Sequence, residues 1–138
     1  MRVFTQYWKN ETWLASTSAK LDHAASNLFR ERKVGRGDRI YIVTVLAGRL
    51  YVRGWLEVDA ILSQRQAQLR LKDTSLWEAT DHAIAKRWHR SSTDRILSMK
   101  DVRRLVRPDG SRPVIRNGAV DGQTFRGVQE FTAELRSY

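Results

Sequence analysis

Residues 39–58 read RIYIVTVLAGRLYVRGWLEV, two apolar runs joined by Ala47-Gly48-Arg49. The first run is apolar on both alternating faces, with Ile40, Ile42 and Leu46 on one and Tyr41, Val43 and Val45 on the other. A central strand covered on two sides has this pattern. The returning run divides by parity. Leu50, Val52, Leu56 and Val58 form one face, and Tyr51, Arg53, Trp55 and Glu57 the other, which is either a binding surface or the seat of a packed helix. Gly54 has no side chain to pack in mid-strand and marks a bulge or a close backbone approach.

Outward from this hairpin, Arg2 to Trp8 alternates and reads as an opening strand, followed by a loop carrying Trp8 to Trp13. From Ser16 a run of N-cap candidates precedes Leu21, Ala24, Ala25, Leu28 and Phe29, the spacing of an amphipathic helix ending near Gly35. Gln66 to Leu71 suggests a third strand. Ser75 with Glu78 has the form of a capping box, and Leu76, Trp77, Thr80, Ala83, Ile84 and Trp88 continue it as a second helix to about Trp88. Shorter strands are expected over 95–98 and 102–106, then turns at Pro108-Asp109-Gly110, Asn117-Gly118 and Asp121-Gly122. Strands predominate with helices inserted between them, an α+β class, and no repeat or linker divides residues 1–138 into more than one domain.

The chain has 138 residues, 41% of them hydrophobic, enough for a core without metal or disulfide support. It contains no Cys, which excludes disulfide, thiolate and iron–sulfur chemistry. No apolar stretch approaches the roughly 20 residues of a membrane span, and no signal-peptide core opens the chain, so a soluble cytoplasmic protein without a membrane partner is expected. Twenty-five basic against 15 acidic residues give a net charge of +10 and a pI near 10.7. An anionic partner is therefore the first expectation. All but six of the cations are Arg, whose planar fork binds phosphate bidentately and stacks on bases. The excess concentrates in residues 86–116, which makes Arg87, Trp88, His89, Arg90, Arg103, Arg104, Arg107, Arg112 and Arg116 candidate phosphate contacts.

Trp8-Lys9-Asn10-Glu11-Thr12-Trp13 interleaves two rings with a cation, an amide and a carboxylate. Such a segment either cages a base, with Lys9 or Asn10 reading its edge, or folds its rings back as a lid on the core. Tyr51, Arg53 and Trp55 form a second candidate platform. Trp77, on a helical stripe, is expected in the core. His23, His82 and His89 lack metal-ligand spacing, and no Walker A, Gly-x-Gly-x-x-Gly or Gly-x-Ser-x-Gly motif occurs, so neither metal nor cofactor is expected. Lys9 with Glu11 is the one pairing that could support acid–base chemistry.

The run Ala25-Ser26-Asn27-Leu28-Phe29-Arg30-Glu31-Arg32-Lys33-Val34-Gly35-Arg36-Gly37-Asp38-Arg39 resembles a segment of EVE domains, Ala-x-Asn followed by Arg and then Lys-Val-Gly-Asp. Tyr7-Trp8-Lys9-Asn10-Glu11 stands where that family carries Lys-Ser-Glu-Pro, with Asn10 in place of Ser, Thr12 in place of Pro and two residues inserted between Gly35 and Asp38. The similarity covers roughly residues 2–62. EVE domains belong to the PUA-like superfamily with YTH and ASCH domains, so the resemblance implies a PUA-like β pseudo-barrel that recognises a modified or flipped base in RNA or DNA. An ASCH-like enzyme, a ribonuclease or nucleoside amidohydrolase, is the alternative it implies.

Overall fold

The computed structural model describes residues 1–15, 20–132, 135 and 138. Eight strands and a few short helices follow one another along the chain: β1 (Val3–Tyr7), α1 (Asn10–Ala15), β2 (His23–Ser26), β3 (Arg39–Leu46), β4 (Arg49–Leu62), α2 (Gln64–Leu71), β5 (Asp81–Ile96), α3 (Met99–Arg104), β6 (Ile115–Arg116), β7 (Ala119–Val120), a 3-10 turn (Gly122–Phe125) and β8 (Val128–Phe131). Six strands form one sheet in the order β2-β5-β4-β3-β1-β8, and β6-β7 is a separate hairpin. β1 runs parallel to β3, and every other pairing is antiparallel. The fold is mixed and mostly β, as its alternating segments predict. Among the described residues no helix is long and apolar enough to cross a membrane.

The sheet curls without closing into a barrel. No ladder joins its edges β2 and β8, yet the turn after β2 reaches β8, where the Arg32 Nε donates to the Val128 carbonyl at 2.9 Å. Inside the curl lie Phe4, Leu21, Ala24, Phe29, Ile40, Ile42, Leu56, Val58, Ala83 and Val128. A second core on the outer face, with Tyr41, Val43, Leu50 and Val52, is covered by Val102 and Leu105 of the α3 region and by Phe125 and Leu135.

One residue decides which β4 side chains face which core. Ile42 pairs with Gly54 but Val43 pairs with Val52, so Arg53 is an extra residue in β4. Such an insertion shifts side-chain parity by one. Leu50 and Val52 accordingly join the outer core while Leu56 and Val58 join the inner one. The bulge at Gly54 is as expected; the single binding face of Tyr51, Arg53 and Trp55 is not. Arg53 and Tyr51 lie on one side, whereas Trp55 packs on the outer core.

Several sequence expectations are corrected. The stripe Leu21, Ala24, Phe29 is buried, but as β2 and a turn instead of a helix; its N-cap candidates at 16–19 lie outside the described residues. Gln66 to Leu71 belongs to helix α2, opened by a capping box in which Ser63 and Gln66 satisfy each other's backbone N–H. Ser75 caps no helix: its N–H and hydroxyl both donate to Asp73. The chain from Asp81 is the long strand β5, which also takes in the first half of the short strand expected at 95–98. Residues 99–104, which include the start of the strand expected at 102–106, are α3, capped by Ser98. Asn117-Gly118 makes the expected tight turn, with φ of 51° and 73°.

Candidate nucleic-acid interface

The open seam of the curled sheet forms a concavity. A cavity of about 420 Å³ lies between the end of β1 and the free edge of β2, lined by Gln6, Tyr7, Trp8, Lys9, Thr12, His23, Ala24, Ala25 and Trp77. Gln6 points inward from β1 beside Phe4 and bridges the seam, its Nε2 donating to the Ala25 carbonyl at 2.7 Å. Its Oε1 is buried without a partner among the described residues, an acceptor in need of a donor. The mostly apolar lining with a few convergent polar groups is the usual composition of a small-ligand site.

Trp8 and Trp77 are the indoles of this cleft. Trp77 is 75% exposed, against the expectation that it lies in the core. The loop that presents it is fixed at several points. The Gln64 Nε2 donates to the Leu76 carbonyl, the Gln64 Oε1 accepts from the Ala79 N–H, and the Asn27 Oδ1 accepts from the Thr80 N–H. Such a support holds a large apolar ring in water, where it is available to stack on a planar ligand.

Trp13 sits behind the cleft. It is 9% exposed, tilted 57° to Trp8 at 6.0 Å, and covered by the Arg90 guanidinium at 3.9 Å from the ring centroid. The Asn10 Oδ1 is engaged, accepting from Arg53 at 2.9 Å. Arg53 itself is buried: its Nε donates to Thr44 and its second terminal nitrogen to Asp94, while the guanidinium lies 4.7 Å from the Tyr51 ring centroid. It joins α1, β3, β4 and β5 in one network, a structural role. The loop expected at 8–13 is largely α1, and Glu11 is exposed there, outside the cleft that Lys9 lines.

On the outer face Trp55 is stacked by Arg39 at 3.9 Å and approached by His89 at 6.2 Å. Arg87 pairs with Glu57 and Trp88 is 39% exposed. Arg103 and Arg104 end α3, Arg112 donates to the Arg103 carbonyl, and Arg116 is exposed on β6. Arg107 is structural, donating to Gln129, Ser111 and the Thr124 carbonyl, and burial lowers its pKa. Among the described residues no cluster of metal-ligating side chains occurs.

Gln6, Thr12, His23 and Trp77 are cleft residues that sequence reasoning missed. His23 stacks on His82 at 5.8 Å, and His82 is fully buried with its Nε2 donating to the same Gln64 Oε1 that holds the Trp77 loop. Burial pushes the pKa of both imidazoles below the ordinary 6.5, so the fold holds them neutral. The unfolded chain then binds more protons in acid. Stability is therefore expected to be fully present above pH 6.5 and to fall as the pH drops below it, flattening once the lowered pKa values are passed. Thermal melts at a series of pH values check this, and a His82→Gln variant with an unchanged acid slope would sink the assignment.

No family model, curated protein or solved structure matches this chain.

Proposed function

We propose that the protein is a PUA-like nucleic-acid-binding module whose seam cleft receives one unstacked base, a modified or flipped one, between Trp8 and Trp77. The observation that carries this reading is a single apolar cavity lined by two indoles, Trp8 and the exposed, loop-anchored Trp77. The rings would supply stacking common to all bases. The net charge of +10 would supply attraction to phosphates that carries no sequence information.

The test is a panel of modified and unmodified RNA and DNA oligonucleotides titrated at several salt concentrations. Affinity is expected to fall with salt at a log–log slope of about −0.7 to −0.9 per neutralised phosphate. Trp77→Ala is expected to cost about 1–3 kcal/mol of binding, one stacking contact, with the melting temperature unchanged because the ring is exposed. Binding that ignores salt, or a Trp77→Ala protein that binds every oligonucleotide as the wild type does, would overturn the proposal.

A further inference from the structure

A second cavity, also of about 420 Å³, adjoins the cleft and shares Tyr7 and Lys9 with it. Its other walls are Asp121, Gly122, Gln123 and Arg126, from the 3-10 turn and the segment entering β8. Two backbone hydrogen bonds bring these segments together: the Tyr7 N–H donates to the Gly127 carbonyl at 3.0 Å, and the Arg126 N–H to the Gln123 carbonyl at 3.4 Å. Gly127 takes a φ of 72°, which lets the chain turn from Arg126 into β8.

The chemistry of this cavity differs from that of the cleft. Several cations of the chain are already engaged in ion pairs: Arg53 with Asp94, Arg87 with Glu57, Arg70 with Asp59, and Arg2 with Asp38. Lys9 and Arg126 are both exposed and have no ion pair among the described residues, yet they line one concavity together with Tyr7. The carboxylate in the wall, Asp121, is turned to its own backbone, where it accepts from the Gln123 N–H at 3.0 Å. Two cations against one carboxylate leave a net positive hollow with a guanidinium fork and an ammonium as donors. That set suits a tetrahedral oxyanion carrying one or two charges.

We infer that the Tyr7, Lys9, Arg126 hollow is a phosphate subsite, and that it holds the phosphodiester next to the base in the cleft. The second half of this inference rests on the proposed function; the first half does not. Because Tyr7 and Lys9 line both cavities, a base in the cleft and a phosphate in the hollow would be neighbours along one strand, and base and backbone would be fixed by a continuous wall. The sequence-level emphasis on residues 86–116 misses this site because Lys9 and Arg126 are 117 positions apart and neither lies in a basic run.

The test uses the full chain with Arg126→Gln and Lys9→Gln, and with Arg65→Gln as a control that removes an exposed cation from α2. Binding of a short single-stranded oligonucleotide is measured by fluorescence anisotropy against salt. In parallel, inorganic phosphate is titrated while the Arg126 Nε–H resonance is followed by NMR. The expected result is a loss of about tenfold in affinity for Arg126→Gln, a salt slope shallower by about 0.7 than that of Arg65→Gln, and a saturable shift of the Arg126 signal with phosphate. Arg126→Gln indistinguishable from Arg65→Gln, with no shift on phosphate addition, overturns the subsite. If that happens while Trp77→Ala still weakens binding, the base cleft stands alone. If the oligonucleotide fails to bind while phosphate still shifts Arg126, the hollow is a site for free phosphate and the nucleic-acid reading falls.

Discussion

Trp13→Ala is expected to lower folding stability by about 3–5 kcal/mol, the cost of truncating a large aromatic side chain in a packed core. For a domain of this length that is a fall of roughly 10–15 °C in melting temperature. The ring is 9% exposed, packs with the inner core, and has the Arg90 guanidinium 3.9 Å from its centroid. Its loss would open a void at the top of the curl and leave Arg90 without the face it covers. Affinity of the folded fraction for an oligonucleotide is expected to change far less, since Trp13 reaches the cleft only through its tilted contact with Trp8. Equilibrium denaturation and anisotropy on one preparation check both halves. A Trp13→Ala protein that melts like the wild type but no longer binds would restore Trp13 to the base site and exclude a core role.

The contrast between Trp13 and Trp77 shows where one-dimensional reading works. Both indoles are visible in the sequence, where Trp13 is open to a core or a surface role and Trp77 reads as core; the structure buries the first and exposes the second. Parity places β1, β3 and the first half of β4 well, because each has at least one face against a core and the side-chain period of a strand is two. β5 escapes it. Its first four residues, Asp81 to Ile84, are buried on both faces although two are polar, since Asp81 accepts from the Arg30 N–H and His82 is bonded to Gln64. The rest of the strand is mostly exposed, so no alternation survives there, and the apolar residues from Leu76 to Trp88 fall by accident on a helical spacing. α2 fails in the opposite sense. Only Ala67 is buried, and the alternation of Gln, Ala, Gln and Leu imitates a strand. Its real signal is local, Ser63 followed at the third position by Gln66, and the same kind of signal at Ser75 is spent on a turn with Asp73. The seam cleft is illegible for a further reason: it joins β1 to β2, which are not neighbours in the sheet and meet only because the sheet curls.

Gly54→Ala is expected to be comparable in its effect to the loss of Trp13, although it adds a single methyl. A Cβ at position 54 would lie 2.4 Å from the His89 carbonyl oxygen, 2.9 Å from the Leu21 Cδ2 and 3.2 Å from the Arg90 Cα. The first and third of these are backbone, so no rotamer change relieves them. β5 would have to move off β4 at the point where Gly54 pairs with Arg90 and Trp55 with His89. Overpacking a yielding core costs about 1–3 kcal/mol, and an obstacle made of main chain places this substitution at or above the top of that range, about 3 kcal/mol or more. The damage would also spread along the strand. The extra residue that flips β4 from the outer core to the inner one is Arg53, and its bonds to Thr44, Asn10 and Asp94 depend on the bulge that Gly54 permits. Gly35→Ala is the matched control, since nothing lies within 4 Å of the added atom; there a neutral or slightly stabilising change of about 0.4–1 kcal/mol is expected from the stiffer unfolded chain. Urea denaturation of the two variants separates them. Wild-type stability in Gly54→Ala would mean that β4 and β5 do not pair in this register, and with it would go the bulge that divides Tyr51 and Arg53 from Trp55.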